Sequence, residues 1–109
     1  MDNEKIELKI LGISSGHTNA SYTLILEEME GNRKLPVVIG AFEAQAIAIQ
    51  IEKIEPPRPM THDLFRTFAD SFSITVDEVV VHKLQEGVFY ANIVCKDEEG
   101  NTQELDART

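Results

Sequence analysis

A chain of 109 residues suffices for one small folded domain, and 42% hydrophobic with 27% charged residues is a globular rather than a disordered composition. Nineteen acidic against ten basic residues leave a formal net charge of −9, a field that repels polyanions unless folding gathers the scattered Lys and Arg. The single cysteine, Cys95, excludes an intrachain disulfide and a cysteine-built zinc site. One free thiol fits a reducing cytoplasm, and no run approaches the roughly 18 apolar residues of a membrane span.

Met1 to Lys9 is charged and then alternating, without the apolar centre of a signal peptide. Ile6, Leu8 and Ile10 alternate with polar residues, the period of a half-buried strand, and Gly12 to Asn19 reads as a turn or loop. Tyr22 to Glu28 reads as a second strand with Tyr22, Leu24 and Leu26 on one face. Gly31-Asn32 then turns the chain into a third strand, Leu35 to Ile39. Pro36 marks a strand start or an edge.

Ala41 to Ile54 reads as a helix. Ala44, Ile47, Ala48, Ile51 and Ile54 form one apolar arc, and Phe42, Ala46 and Ile49 form a second, a pattern that predicts a central helix. Pro56-Pro57-Arg58-Pro59 ends it. Thr61 is the expected N-cap of a second helix reaching to about Phe72, with Leu64, Phe65, Phe68 and Phe72 at helical spacing as a core stripe. Strands follow from Ile74 to Lys83 and from Val88 to Cys95, with a turn at Gly87. Gly100-Asn101 turns into Thr102 to Arg108. The order β-β-β-α-α-β-β-β with short links predicts an α+β fold of mostly antiparallel strands, with two consecutive helices inserted mid-chain.

Leu35-Pro36-Val37-Val38-Ile39-Gly40, followed by Glu43-Ala44 and Ala46-Ile47-Ala48, resembles the pattern of the bifunctional nuclease domain. So does Pro57-Arg58-Pro59 with Thr61-His62-Asp63-Leu64. Asp106-Ala107-Arg108 resembles the opening of that family's third motif, where proline usually stands in place of Thr109. The resemblance spans nearly the whole chain and implies one domain over residues 1–109, C-terminally truncated against the family pattern. It also implies hydrolysis of RNA and DNA.

Phosphodiester hydrolysis needs an activated water and charge stabilisation at phosphorus. Carboxylates holding Mg2+ or Mn2+ supply both in metal-dependent nucleases, and His, Lys or Arg do so in metal-free ones. The candidate catalytic residues are Glu43, His62, Asp63 and Asp106, and the candidate substrate-binding residues are Arg58 and Arg108. Glu43 lies between the two apolar arcs of the first helix. It is either a metal ligand or general base, or a first-turn acid favourable to the helix dipole. His62 is either an acid–base group or part of helix-start chemistry with Thr61 and Asp63. Arg58, on a stiff loop before a helix N-terminus, suits a phosphate or an internal carboxylate. Asp106 and Arg108 alternate along a strand and share a face, so a site and an internal ion-pair network fit them equally. Glu52 reads as a solvated face residue, Cys95 as core, and His17 and His82 have no supporting context.

Two functions follow. One is a nuclease acting on nucleic acid. The other is a non-catalytic binding, regulatory or oligomerisation module, with a homo-oligomer expected and no membrane association. The charge of −9 favours the second, and the polar residues at the helix junction favour the first.

Overall fold

The computed structural model describes residues 5–15 and 21–108. Its elements are β1 (Leu8–Ser15), β2 (Ser21–Glu28), β3 (Lys34–Gly40), α1 (Ala41–Ile51), α2 (Thr61–Ser71), β4 (Thr75–Gln85), β5 (Val88–Lys96) and β6 (Thr102–Arg108). All strand pairing is antiparallel, in two three-stranded meanders ordered β1-β2-β3 and β4-β5-β6, so the α+β expectation holds. Contacts cluster into two compact units, Met1–Glu55 and Pro56–Thr109.

In the first unit, β1 begins at Leu8, two residues later than the alternation suggests, and continues through Gly12 to Ser15. The register shifts between Ile10 and Gly12, so Leu11 is an extra residue that carries the strand past the expected loop. His17 lies outside the described residues. Tyr22 pairs with Ile39, and Leu24 with Val37 and Ile13, which puts these side chains on one face of the sheet. Leu24, Val37 and Ile39 are buried there. α1 touches β2 and β3, and Ala44 is its buried residue. Phe42 is 84% exposed, so the second apolar arc of α1 does not make it a central helix. In the first arc Ala44 is buried but Ile51 and Ile54 are exposed, while Ala46 and Ile49 of the second are half-buried. The helix stops at Ile51 rather than Ile54 because Lys53 adopts a left-handed φ of 57°.

The β2–β3 turn is closed by Glu28. Its carboxylate accepts from Arg33 Nε at 2.9 Å, Nη2 at 2.6 Å and the Arg33 amide at 3.1 Å. The Arg33 side-chain bonds, then its amide, hold the Glu28 carboxyl below its ordinary value. Asp97 is lowered likewise, first by the Asn101 side chain and then by the amides of Asn101 and Glu99 in the β5–β6 turn. A carboxylate with a lower pKa folded than unfolded stabilises the fold above the ordinary carboxylate range, and that contribution disappears as pH falls through its folded value. Urea titrations between pH 3 and 7 should therefore show stability falling below about pH 4. Glu28→Gln should flatten part of that fall.

In the second unit, β4 and β5 are joined by Glu86 and Gly87 at φ of 54° and 79°. Two successive positive values mark a primed hairpin turn and fit glycine at its second position. β4 carries two register shifts, between Val76 and Glu78 and between Val81 and Lys83, leaving Asp77 and His82 as the extra residues. The resulting sheet has one apolar face, with Val76, Val79, Val81 and Leu84 of β4, Phe89, Ala91, Ile93 and Cys95 of β5, and Leu105 and Ala107 of β6. Ala91 and Cys95 are buried, as the apolar context of Cys95 predicts. The opposite face carries Lys83, Tyr90, Arg108, Asn92, Asp106 and Glu104. On α2 only Ala69 is buried. Leu64, Phe65, Phe68 and Phe72, expected as core, are all more than half exposed, and the Phe68 and Phe72 rings stand 5.0 Å apart.

Candidate functional site

Glu43 occupies the first turn of α1, three residues after its N-cap, Gly40. Its carboxylate folds back over the helix start, with Oε1 2.5 Å from where a side chain on Gly40 would begin. That is the position from which a capping glutamate reaches the helix's first amides, and glycine leaves room for it.

In the second unit, Pro56 to Pro59 cannot continue a helix and deliver an extended Met60 (φ −86°, ψ 172°) as the N-cap of α2, not Thr61. Asp63 explains the shift. Its Oδ2 accepts from the Met60 amide at 2.9 Å, satisfying a donor that the helix ladder leaves open, and Thr61 becomes the first helical residue. A hollow of about 280 Å3 opens at this junction, lined by Arg58, Pro59, Met60, Thr61 and Leu64. Arg58 has no hydrogen bond or ion pair among the described residues, so its guanidinium is available beside the positive end of α2.

His62 is the residue that helix formation leaves unexplained. Its Nε2 is inaccessible to solvent yet has no hydrogen-bond partner. Asp63 Oδ1 stands 3.4 Å away, within ion-pair range but outside hydrogen-bond geometry, and the two side chains remain 39% and 31% exposed. A buried nitrogen without a hydrogen bond costs stability, and such costs concentrate where a group has other work.

Asp106 and Arg108 do point to one face of β6 and have no hydrogen bond or ion pair among the described residues. They stand opposite Asn92 and Tyr90, while Asn92 is held by Glu104 at 3.5 Å. Register also places Lys83 beside Tyr90, giving the row Lys83–Tyr90–Arg108 across the sheet. Period-two reading misses Lys83, because the extra residue His82 moves it from the face of Val79 and Val81 to the opposite one. Arg58, His62 and Asp63 thus gather at the start of α2, Asp106 and Arg108 lie on the sheet, and Glu43 belongs to the other unit.

Among the described residues, no three His, Cys, Asp or Glu side chains stand close enough together to hold a metal ion. What the α2 start offers is an imidazole, a carboxylate that orients the helix, a free guanidinium and open first-turn amides, a set suited to an anionic ester and proton transfer.

Two uncharacterized proteins of Mycobacterium tuberculosis, from strains CDC 1551/Oshkosh and ATCC 25618/H37Rv, are each 41% identical to this chain over 88 residues. The match takes in 81% of this chain and 54% of each relative, so the chain spans about half the length of the curated relatives it matches. No helix among the described residues is long and apolar enough to cross a membrane. The profile of the bifunctional nuclease domain matches residues 24–109, a span that holds the strand–helix run from Leu35, the Pro-Arg-Pro loop, the start of α2 and the Asp106–Arg108 strand end. The chain belongs to the bifunctional nuclease domain family.

Proposed function

We propose that the chain hydrolyses phosphodiester bonds in nucleic acid at the start of α2, with His62 moving the proton and Arg58 with the first α2 amides holding the phosphate. Two observations support this reading: His62, in the first turn of α2, has an Nε2 that makes no hydrogen bond, and Arg58, which lines the hollow at the same helix start, has no hydrogen bond or ion pair among the described residues. Family membership supports this reaction class. Asp63 keeps the helix start in place through Met60 and stands at ion-pair distance from the imidazole. Arg108 and Asp106 contribute substrate contacts from the sheet, and Glu43 is a further acid–base candidate on chemistry alone. The lone thiol of Cys95 fits a cytoplasmic location.

The test is cleavage of labelled single-stranded RNA and DNA by purified protein with Mg2+, with Mn2+ and with EDTA, beside Arg58→Gln and Glu43→Gln. Arg58→Gln is expected to lower cleavage by about 100-fold or more through lost phosphate stabilisation. Equal cleavage by parent and Arg58→Gln discards the site. Glu43→Gln at parental rate assigns Glu43 to the helix start.

A second reading, a homo-oligomerising binding module, is favoured by the exposure of Leu64, Phe65, Phe68 and Phe72 along α2. Light scattering across a hundredfold concentration range decides it. A constant monomer mass discards self-association.

A further inference from the structure

The row Lys83–Tyr90–Arg108 crosses the polar face of the β4-β5-β6 sheet at the end nearest the Glu86-Gly87 turn. Lys83 Nζ sits 4.8 Å from the centre of the Tyr90 ring, so a cation covers one side of an aromatic that is 36% exposed. Arg108, opposite Tyr90 on the other strand, has no hydrogen bond or ion pair among the described residues. Farther along this face two of the charged side chains have partners. Lys96 pairs with Asp77 at 3.2 Å, and Glu104 accepts from Asn92. Asp106 stands one row away from Arg108. In a chain of net charge −9, this end of the sheet face sets two cations, Lys83 and Arg108, on either side of an exposed ring.

Two strand spacings set the backbones of Lys83 and Arg108 roughly 10 Å apart, with Tyr90 on the strand between them. A π-face between two cations fits a base between its flanking phosphates, because stacking is indifferent to base identity while the cations track the backbone. In a duplex the base faces are already stacked on each other, so the ring can reach only unstacked bases. We propose that Lys83, Tyr90 and Arg108 form a subsite for single-stranded nucleic acid, with Tyr90 stacking one base and the two cations contacting phosphates. The proposal rests on the nuclease reading for the class of polymer.

The test is fluorescence anisotropy of a short labelled oligothymidylate, and of its duplex with oligoadenylate, on the full chain in EDTA over a range of salt. The single strand is expected to bind more tightly than the duplex. Tyr90→Ala is expected to weaken it by roughly 5- to 100-fold, and Tyr90→Phe to retain it. Lys83→Gln and Arg108→Gln should each reduce the salt slope by roughly 0.7. Circular dichroism checks the fold of each variant. If Tyr90→Ala fails to fold, Tyr90→Phe and the two charge variants still decide the matter. No binding by the parent, undiminished binding by a folded Tyr90→Ala, a loss in Tyr90→Phe as large as in Tyr90→Ala, or unchanged salt slopes would overturn the subsite. Binding with these signatures but no cleavage under any metal condition removes the nuclease reading and leaves the subsite. Cleavage with a KM unchanged by Tyr90→Ala removes the subsite and leaves the nuclease.

Discussion

His62→Ala is expected to lower phosphodiester cleavage by roughly 100- to 10,000-fold, the usual contribution of a positioned acid–base group, while leaving stability unchanged or slightly raised. The two halves of this result have one cause. Nε2 makes no hydrogen bond and its 3.4 Å approach to Asp63 joins two partly exposed side chains, so the fold gains little from it and carries its desolvation cost. Removing the imidazole removes that cost, and its partly exposed side chain leaves no large cavity behind. A residue kept for the helix start behaves in the opposite way. Asp63→Ala removes the acceptor for the Met60 amide and is expected to lower stability by about 1 kcal/mol. The paired measurement is single-turnover cleavage together with urea unfolding on the same protein batches. Loss of stability in His62→Ala with cleavage retained would falsify the catalytic assignment and make His62 a structural residue.

Val37→Asp is expected to unfold the first unit or to destabilise it by more than about 3 kcal/mol, whereas Val38→Asp should cost no more than about 1 kcal/mol. The residues are neighbours on β3, but Val37 is 1% exposed and Val38 is 71% exposed. Val37 pairs with Leu24 on the face under α1, where a carboxylate would lose its water and meet only apolar side chains. Against a typical total stability of about 5–15 kcal/mol the first change is large. Heteronuclear NMR of both variants reads it directly. Collapse of amide dispersion over residues 21–51 is expected in Val37→Asp alone. Similar spectra for the two would show that β3 does not bury the face its pattern defines.

Much of this architecture is legible in the sequence. Alternation at Tyr22, Leu24 and Leu26, the turn glycines at 87 and 100, and the break at Pro56 to Pro59 give the element order, because each reflects a local steric or periodic constraint. Readings failed where a nonlocal choice decided the outcome. Met60 rather than Thr61 caps α2 because Asp63 reaches back to it. The Phe65, Phe68 and Phe72 stripe announces an apolar face, but periodicity carries no information about what that face meets. Among the site residues, chemistry alone singles out Glu43, Arg58 and His62. The row of Lys83 with Tyr90 depends on an extra residue in β4, which period-two counting cannot place.

Those extra residues have a further consequence for the life of the protein in a crowded solution. β4 is an edge strand of eleven residues with a Val-rich centre, Val79-Val80-Val81, and its outer hydrogen-bonding groups are a ready template for another chain. Asp77 and His82 interrupt that template near both ends and increase the local twist, so that no long flat stretch is offered for edge-to-edge addition. Deleting His82 keeps Lys83 opposite Tyr90 but straightens the rim. The flat length of this edge is therefore limited by where the extra residues fall, whatever the chemistry of their side chains.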